Sequence, residues 1–428
     1  MHGESALSRR DFIRHVSLIG LGVALPSPFA RRGRLQELAA LLPYAKDASH
    51  EGLFWNKIRR FFRPSGTFIN LENGYCSPQP MPTLHYHIRR EKYINAWTSM
   101  YTREQMPEAM ESVRTDLAAF LAVDPEELAI TRNTTESLNT IIMGYPWNTG
   151  DEVVIGNQDY GSMVQAFQQA QQRYGIVVKE AAIPLHPSAD DEIVESYMAL
   201  CTAKTRMVHL THLIHLSGHV IPVAKIAQRA HERGIEVVVD AAHSVAHLDY
   251  KIPDLAADYV GASLHKWLCC PLGCGFLWMK KEHIPKIWPL MGDTGTTATD
   301  IRRFEHQGTR PFHSIEAISR AIAFHTMIGG ARKEARLKYL MTRWVSKIAA
   351  LPKVRMNTPW DQAGRNSAIA NFNVNGYAPA DITAALFARH KIFTVAIDHP
   401  AIQGVRVAPH LYTTVKEVDA LTDAIREL

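Results

Sequence analysis

The sequence predicts an α/β protein in which helices cover a mostly parallel sheet and a smaller C-terminal α+β domain follows. Three observations support this fold class. Strand-like and helix-like segments alternate from Phe68 onward, which is typical of strand–helix–strand units. Several strand-like segments, of which residues 235–239 are the clearest, are mostly apolar, as strands buried on both faces are. After about residue 310, a long helical stretch leads into shorter segments of mixed type.

Apolar periodicity and turn residues locate the individual elements. Helices are predicted at residues 109–121, from residue 135 onward, and at 163–174, 223–233 and 315–350. Strands are predicted at residues 128–131, 152–155, 177–182, 207–210, 235–239, 259–262, 368–374 and 405–408. After a polar lead-in at residues 31–67, the large domain is predicted over residues 68–310 and the small domain over residues 311–428.

Composition excludes several classes of protein. Of the 428 residues, 46% are hydrophobic and 21% are charged, which indicates a folded chain with a core. The net charge of +5 is too small for this length to indicate binding to nucleic acid. Five cysteines are too few for a disulfide scaffold. A small molecule is therefore the expected partner.

The first 30 residues resemble a twin-arginine export signal. Arg9 and Arg10 precede an apolar run at residues 16–25, and Ala30 offers a small residue for cleavage. The run is shorter than the roughly 20 apolar residues that span a bilayer, so we expect no stable membrane insertion after the signal is removed. The expected location is the periplasm, or the cytoplasm if the signal is not used.

Polar side chains follow three of the predicted strands at the points where those strands end. Asp240 follows one strand, and Lys266 follows the next strand, 26 residues later. Asn133, Thr134 and Thr135 follow a third strand and begin a helix, with Asn133 as its N-cap. Because ligands of open α/β sheets bind at the carboxyl ends of the strands, we expect these groups to lie close together.

This set of groups is the one that pyridoxal phosphate needs. Its phosphate binds at a helix N-terminus, such as the one at Thr134 and Thr135. A carboxylate such as Asp240 keeps the pyridine nitrogen protonated, and a lysine such as Lys266 binds the cofactor covalently and then moves a proton. The sequence therefore predicts a pyridoxal-phosphate site.

Four segments also resemble a known family. They are residues 133–139, 240–243, 263–267 and 273–278, with the sequences NTTESLN, DAAH, SLHKW and GCGFLW. The chain resembles the class V aminotransferase group of fold-type-I pyridoxal-phosphate enzymes over about residues 68–428. Within that group it is most similar to isopenicillin N epimerase-like proteins, through residues 73–74, 159–163 and 406–412. The resemblance implies a seven-stranded type of sheet in the large domain.

The resemblance also implies roles for individual residues. The catalytic group is Lys266, Asp240 and His243. The residues expected to contact the cofactor are Thr134, Thr135, Gln158, Tyr160, Asp240, His243, Ser263, His265, Lys266 and Thr309. Arg406 matches the arginine that holds the substrate carboxylate, and Asn73 and His215 are expected beside the substrate. Thr309 matches a segment that reaches the phosphate of the neighbouring subunit, which implies a homodimer with shared active sites.

Gln158 departs from the family pattern. Family members usually have an aromatic residue or a histidine at this position, where it stacks on the cofactor ring. Either Gln158 packs on the ring, or Tyr160 or another residue replaces the stack.

Two further features bear on the type of reaction. His209, His212, His215 and His219 follow one strand closely and suggest a zinc hydrolase as an alternative, but residues 209 and 212 point to opposite faces of an extended strand, so no metal site is predicted. No cysteine follows Cys274, whereas the desulfurases of the family have their catalytic thiol in the C-terminal part.

The expected function is a pyridoxal-phosphate-dependent reaction at Cα of a small amino-acid-like substrate, by epimerisation or transamination. A β-lyase reaction is an alternative, because it begins with the same removal of the Cα proton. A third alternative is a protein that has lost catalysis and only binds a ligand, but the presence of Lys266, Asp240 and Arg406 argues against it.

Overall fold

A computed structural model describes residues 52–293 and 295–428, so the predicted export signal lies outside the described residues. The strands are β1 Ile69–Asn70, β2 Leu128–Thr131, β3 Glu152–Gly156, β4 Val177–Ala181, β5 Thr205–Thr211, β6 Glu236–Asp240, β7 Tyr259–Ser263, β8 Gly275–Met279, β9 Val354–Met356, β10 Ala370–Val374, β11 Ile392–Phe393, β12 Val395–His399 and β13 Ile402–Val407. The helices are α1 Leu53–Arg59, α2 Met81–Met100, α3 Met106–Leu121, α4 Thr134–Gly144, α5 Gly161–Tyr174, α6 Asp190–Met198, α7 Val223–His231, α8 Phe312–Ile328, α9 Gly330–Ile348, α10 Pro379–His390 and α11 Val415–Arg426. Within these ranges, no helix combines the length and apolar character that crossing a membrane requires.

The central sheet has seven strands in the order β2-β8-β7-β6-β5-β3-β4. Strand β8 runs antiparallel to both of its neighbours, and the remaining pairs are parallel. The mostly parallel sheet predicted from the sequence is therefore confirmed. Its register is important for the site, because Asp240 at the end of β6 pairs with Thr211 of β5 on one side and with Gly261 of β7 on the other.

Helices cover both faces of this sheet. Val237 and Val239 of β6 pack into a core cluster with side chains of α3, α6, α7 and α8. Val238 points to the opposite face and packs with side chains of α4 and α5. Because successive side chains of a strand alternate between faces, the part of a strand that is covered on both faces has to be apolar, as residues 237–239 are.

A second sheet, antiparallel and in the order β12-β13-β10-β9, packs with α9, α10 and α11 around a separate core cluster. Strand β1 pairs with β11 in parallel, so the start of the described chain lies against this C-terminal unit. Ile315 and Ile318 of α8 pack into the cluster of the large sheet instead. The domain boundary near residue 310 stays a prediction.

Several helical segments differ from the sequence prediction, which did not include α1, α6, α10 and α11. The stretch predicted as one helix at residues 315–350 is two helices, because Gly329 has a φ of +89°, outside the helical range. Helix α2 was not predicted at all. Thr83 is its single buried residue, so the helix has no apolar stripe that periodicity could detect.

Side chains close the edge of the sheet at β2. The Ile130 N–H donates to Glu305 Oε1 at 2.5 Å, and the Ile130 carbonyl accepts from Arg310 Nη1 at 2.9 Å. Arg114 Nη1 donates to the Leu128 carbonyl at 2.6 Å and to Glu305 Oε1 at 2.5 Å. These contacts satisfy backbone groups that an edge strand otherwise exposes to pairing with another chain.

We predict that Glu305→Ala lowers the free energy of unfolding by about 1–3 kcal/mol, because it removes the acceptor of the Ile130 N–H and one of the two carboxylates that pair with the buried Arg114 guanidinium, while Glu111 remains as the other. Urea unfolding followed by circular dichroism measures the change. Glu126→Ala is the control, since Glu126 pairs with Arg302 at a more exposed position and such pairs contribute about 0–1 kcal/mol. Equal losses for the two variants would contradict this account of the sheet edge.

Candidate active site

Lys266 lies in the turn between β7 and β8, at the carboxyl edge of the parallel strands. The next residue, Trp267, is fully buried and anchors this turn. Its ring lies 3.7 Å from the ring of His247 and 5.4 Å from the ring of His410, measured between centroids. Lys333 Nζ donates a hydrogen bond to the Trp267 carbonyl. These contacts hold the backbone that presents Lys266.

His243 determines the immediate surroundings of the lysine amine. Its Nε2 lies 3.0 Å from Lys266 Nζ, and its Nδ1 accepts the indole N–H of Trp267 at 3.4 Å. Burial, together with the positive charges of Lys266 and Arg406, holds the pKa of His243 well below its usual range. The ring is therefore neutral, and because Nδ1 accepts, its hydrogen lies on Nε2, which can donate it to Lys266 Nζ when that amine is neutral.

Burial also lowers the pKa of Lys266 to about 8, although the negative charge of Asp240 acts in the opposite direction. An ordinary lysine has a pKa near ~10.4. Near neutral pH, a far larger share of Lys266 than of an ordinary lysine is thus the neutral amine, which is the form that attacks a carbonyl.

Asp240 is 3% exposed and its pKa is raised, chiefly by burial, while Lys266 and the Ala242 N–H act to lower it. Its Oδ1 accepts the Ala242 N–H at 2.9 Å. Within the described chain, its Oδ2 has no hydrogen bond. A buried carboxylate with an unused oxygen favours a ligand with a cationic or hydrogen-bond-donating group.

The N-terminus of α4 lies beside the end of β7. The backbone N–H of Thr134 donates to Ser263 Oγ at 2.9 Å, and the two hydroxyl oxygens are 2.8 Å apart. Thr135 is exposed at the same helix start. Asn133 caps the helix by accepting the Glu136 N–H at 2.9 Å, as predicted, but the Glu136 carboxylate accepts the N–H of Arg132 and so closes no capping box with Asn133.

Gly275 of β8 allows this helix to begin so close to the sheet. A Cβ at residue 275 would lie 2.7 Å from both the N and Cα atoms of Asn133, which no side chain tolerates. His265 lies nearby in sequence, and its buried Nδ1 has no hydrogen-bond partner within the described chain. The result is an anion site with a helix N-terminus and hydroxyl groups.

Tyr160 and His215 border the lysine on a further side. The Tyr160 ring is 5.8 Å from Lys266 Nζ and packs edge-on against the His215 ring, with centroids 5.1 Å apart. Gln158 is fully buried, donates to the Ile183 carbonyl at 2.9 Å and accepts from Ser217. Of the two residues considered for the ring stack, Tyr160 is the more accessible, at 36% exposed.

Arg406, predicted to hold the substrate carboxylate, is already paired with Glu72. Arg406 Nε donates to Glu72 Oε2 at 3.1 Å, and Arg406 Nη2 donates to Glu72 Oε1 at 2.6 Å. Its Nη1 donates to the His215 carbonyl at 3.1 Å. Sequence reasoning missed Glu72, although its position directly before Asn73-Gly74 in the resemblance was the available signal.

Asn73 and Thr309 make no hydrogen bond to Lys266, Asp240 or His243 within the described residues. The side chain of Asn73 donates to the Ala408 carbonyl at 2.9 Å and accepts the Tyr412 hydroxyl at 2.6 Å, so its polar atoms hold β1 against the C-terminal unit. Thr309 is exposed in the loop before α8. Its contact with a neighbouring subunit stays a prediction.

The four clustered histidines do not converge. His209 Nδ1 bonds Asp159 at 2.7 Å, and His212 packs against the Tyr250 ring at 4.8 Å. His215 faces Tyr160, and burial lowers the pKa of His219 to about 4. Across residues 52–293 and 295–428, no three histidine, cysteine, aspartate or glutamate side chains are grouped to hold a metal ion.

The described residues fit pyridoxal phosphate. The N-terminus of α4 with Ser263 would hold the phosphate, Asp240 would pair with the pyridine nitrogen, and Lys266 would bind the aldehyde carbon. The unused Oδ2 of Asp240, the unsatisfied Nδ1 of His265 and the lowered pKa of Lys266 are the observations that support this fit.

Known proteins resemble this chain over most of its length. Isopenicillin N epimerase of Amycolatopsis lactamdurans is 27% identical over 393 residues, covering 87% of this chain and 98% of that protein. A probable cysteine desulfurase of Synechocystis sp. is 26% identical, covering 84% of this chain and 90% of that protein.

A solved structure, a C-DES mutant with glycine covalently linked to its PLP cofactor, matches with a TM-score of 0.78 at 20% identity. The match covers 86% of this chain and 99% of that chain, and it confirms the fold-type-I architecture. The family model described as aminotransferase class-V matches residues 84–421. The chain therefore belongs to the class V aminotransferase family of pyridoxal-phosphate-dependent enzymes.

Proposed function

We propose that this enzyme removes and replaces the Cα proton of an amino-acid-like substrate, so that the outcome is epimerisation or transamination. The observation that carries the proposal is the position of Lys266, whose amine contacts His243 at 3.0 Å and has a pKa lowered to about 8. A lysine in this state both attacks a carbonyl and accepts a proton near neutral pH.

Each group of the site has a separate task. Bound pyridoxal phosphate supplies an electron sink for the bond that breaks at Cα. Asp240 maintains that sink by keeping a positive charge on the pyridine nitrogen, and its burial strengthens the interaction. Lys266 takes the proton from Cα. His243, being neutral, donates its Nε2 hydrogen to the lysine amine and orients it.

The cysteines favour this reaction over sulfur transfer. Cys76, Cys201, Cys269, Cys270 and Cys274 all have a pKa raised by burial. The thiolate is the nucleophilic form of cysteine, so none of the five is activated for attack on a sulfur atom. This supports Cα proton chemistry among the activities known for the relatives.

The first prediction from the proposed function concerns the covalent bond to the cofactor. The purified protein, loaded with pyridoxal phosphate, should have a visible absorbance band that Lys266→Ala removes or shifts. Lys225→Ala, at an exposed ion pair with Asp190, should leave the band unchanged. A protein that stays colourless after addition of the cofactor contradicts the proposed function.

A second prediction follows from the pKa of Lys266. Because the neutral amine is the attacking form, the rate of cofactor incorporation into cofactor-free protein should rise with pH and level off above about 8. Asp240→Asn should move the midpoint to lower pH, because the Asp240 charge stabilises the protonated lysine. Stopped-flow absorbance across pH 6–11 tests this, and a rate that keeps rising to pH 10.4, the value of an ordinary lysine, would count against it.

The reaction itself is tested by hydrogen exchange. A panel of L- and D-amino acids, their amides and small peptides, incubated with the enzyme in deuterated water, should include substrates that lose the Cα–H signal in proton NMR, and Lys266→Ala should abolish the exchange. Inverted product indicates an epimerase, and a keto acid indicates a transaminase. Loss of a β-substituent without Cα exchange in the recovered substrate would favour the lyase alternative.

A further inference from the structure

Arg406 is not a free anion site in this protein. Its side chain is 8% exposed and that of Glu72 is 4% exposed, and two parallel hydrogen bonds join them. A third guanidinium hydrogen bonds the His215 carbonyl. Since a guanidinium has five N–H groups, two remain for a ligand.

The pair is built into the local structure. Glu72 Oε1 also accepts the Tyr75 N–H at 3.0 Å. A Cβ at Gly74 would lie 3.1 Å from Glu72 Oε1 and 3.2 Å from Arg406 Cζ, so glycine leaves the room that the two side chains occupy. The hydrogen bond from the Tyr75 N–H therefore holds the Glu72 carboxylate in place against Arg406.

The pair lies on the side of the cleft where the reaction takes place. The His215 residue that accepts from Arg406 has its ring nearly parallel to that of His243, with centroids 6.3 Å apart, and His243 contacts Lys266 Nζ. Glu72 and Arg406 both influence the pKa of Lys266 through their charges. The pair therefore lies within electrostatic range of the amine that takes the Cα proton.

Charge then decides which group fits. A free carboxylate on the two remaining N–H groups of Arg406 would lie beside the Glu72 carboxylate, and two like charges in a buried site repel each other. A carboxamide has no charge. Its oxygen accepts from Arg406, and its N–H donates to Glu72, which has unused lone pairs.

We propose that Arg406 and Glu72 together bind a carboxamide or peptide group attached to the reacting Cα, in preference to a free α-carboxylate. The substrate class is then amino-acid amides or the N-terminal residues of peptides. This inference rests on the proposed function, because it names the substrate of the same site.

The test uses two ligands of the same shape, isobutyramide and isobutyrate, titrated into the pyridoxal-phosphate-loaded protein by ligand-observed NMR. The wild-type protein should bind isobutyramide at least as tightly as isobutyrate. Glu72→Gln, which keeps the shape and removes the charge, should strengthen isobutyrate binding by about tenfold or more. Glu152→Gln is the matched control, because Glu152 pairs with Lys179 at the opposite end of the strands, and it should change neither affinity.

Wild-type protein that binds isobutyrate more tightly than isobutyramide overturns the proposal, even if Glu72→Gln does not fold. A folded Glu72→Gln protein whose isobutyrate affinity is unchanged or weaker also overturns it, since Glu72 would then only position Arg406. Neither ligand has an amino group to react with the cofactor. Their affinities therefore test the Arg406–Glu72 pair alone, whereas Cα exchange tests the proposed reaction separately.

Discussion

The parallel register of β5, β6 and β7 is the constraint on which the site depends. Asp240 is level with Thr211 and Gly261 in the neighbouring strands, and parallel strands with helical crossovers all end at one edge of a sheet. The turn after β7 therefore brings Lys266 into the electrostatic range of Asp240. Antiparallel β8 returns the chain beside β7 and leaves room, through Gly275, for the start of α4 at the same edge.

Burial at this edge gives the polar groups their chemical character. Lys266, Asp240 and His243 each have a pKa moved toward the neutral form, chiefly by burial. In water the lysine would be an ammonium group and the aspartate a carboxylate, and neither would favour a ligand strongly. In the cleft, the unused oxygen of Asp240 and the accessible amine of Lys266 complement a cofactor that has both a basic nitrogen and an aldehyde.

The second charged pair, Arg406 with Glu72, distinguishes this site from a simple carboxylate receptor. The opposite charges of Arg406 and Glu72 cancel, so the buried pair has no net charge to attract an anion. The same low dielectric that strengthens the pair also increases the repulsion of a third charged group. We therefore expect the local balance of charge, more than the presence of the arginine, to select the substrate.

The parts of the fold that were predictable from sequence are those that local patterns encode. Strand β2 has the predicted bounds, because its four apolar or hydroxyl-bearing residues are all buried. Helix α2 was missed, because its interactions are with other parts of the chain and its face has no apolar stripe. The break at Gly329 was missed for a related reason, since apolar periodicity continues on both sides of it and a positive φ leaves no mark on that pattern.

By itself, the sequence determined the alternation of strands and helices and the order of Thr134, Asp240 and Lys266 along the chain. Each of these residues directly follows or begins a local element, so its position at the sheet edge follows from parallel pairing. Only the tertiary structure decided what faces Arg406, because Glu72 is 334 positions away and no local pattern relates the two. It also separated the four clustered histidines, since the direction of each ring depends on packing partners from distant segments and not on spacing.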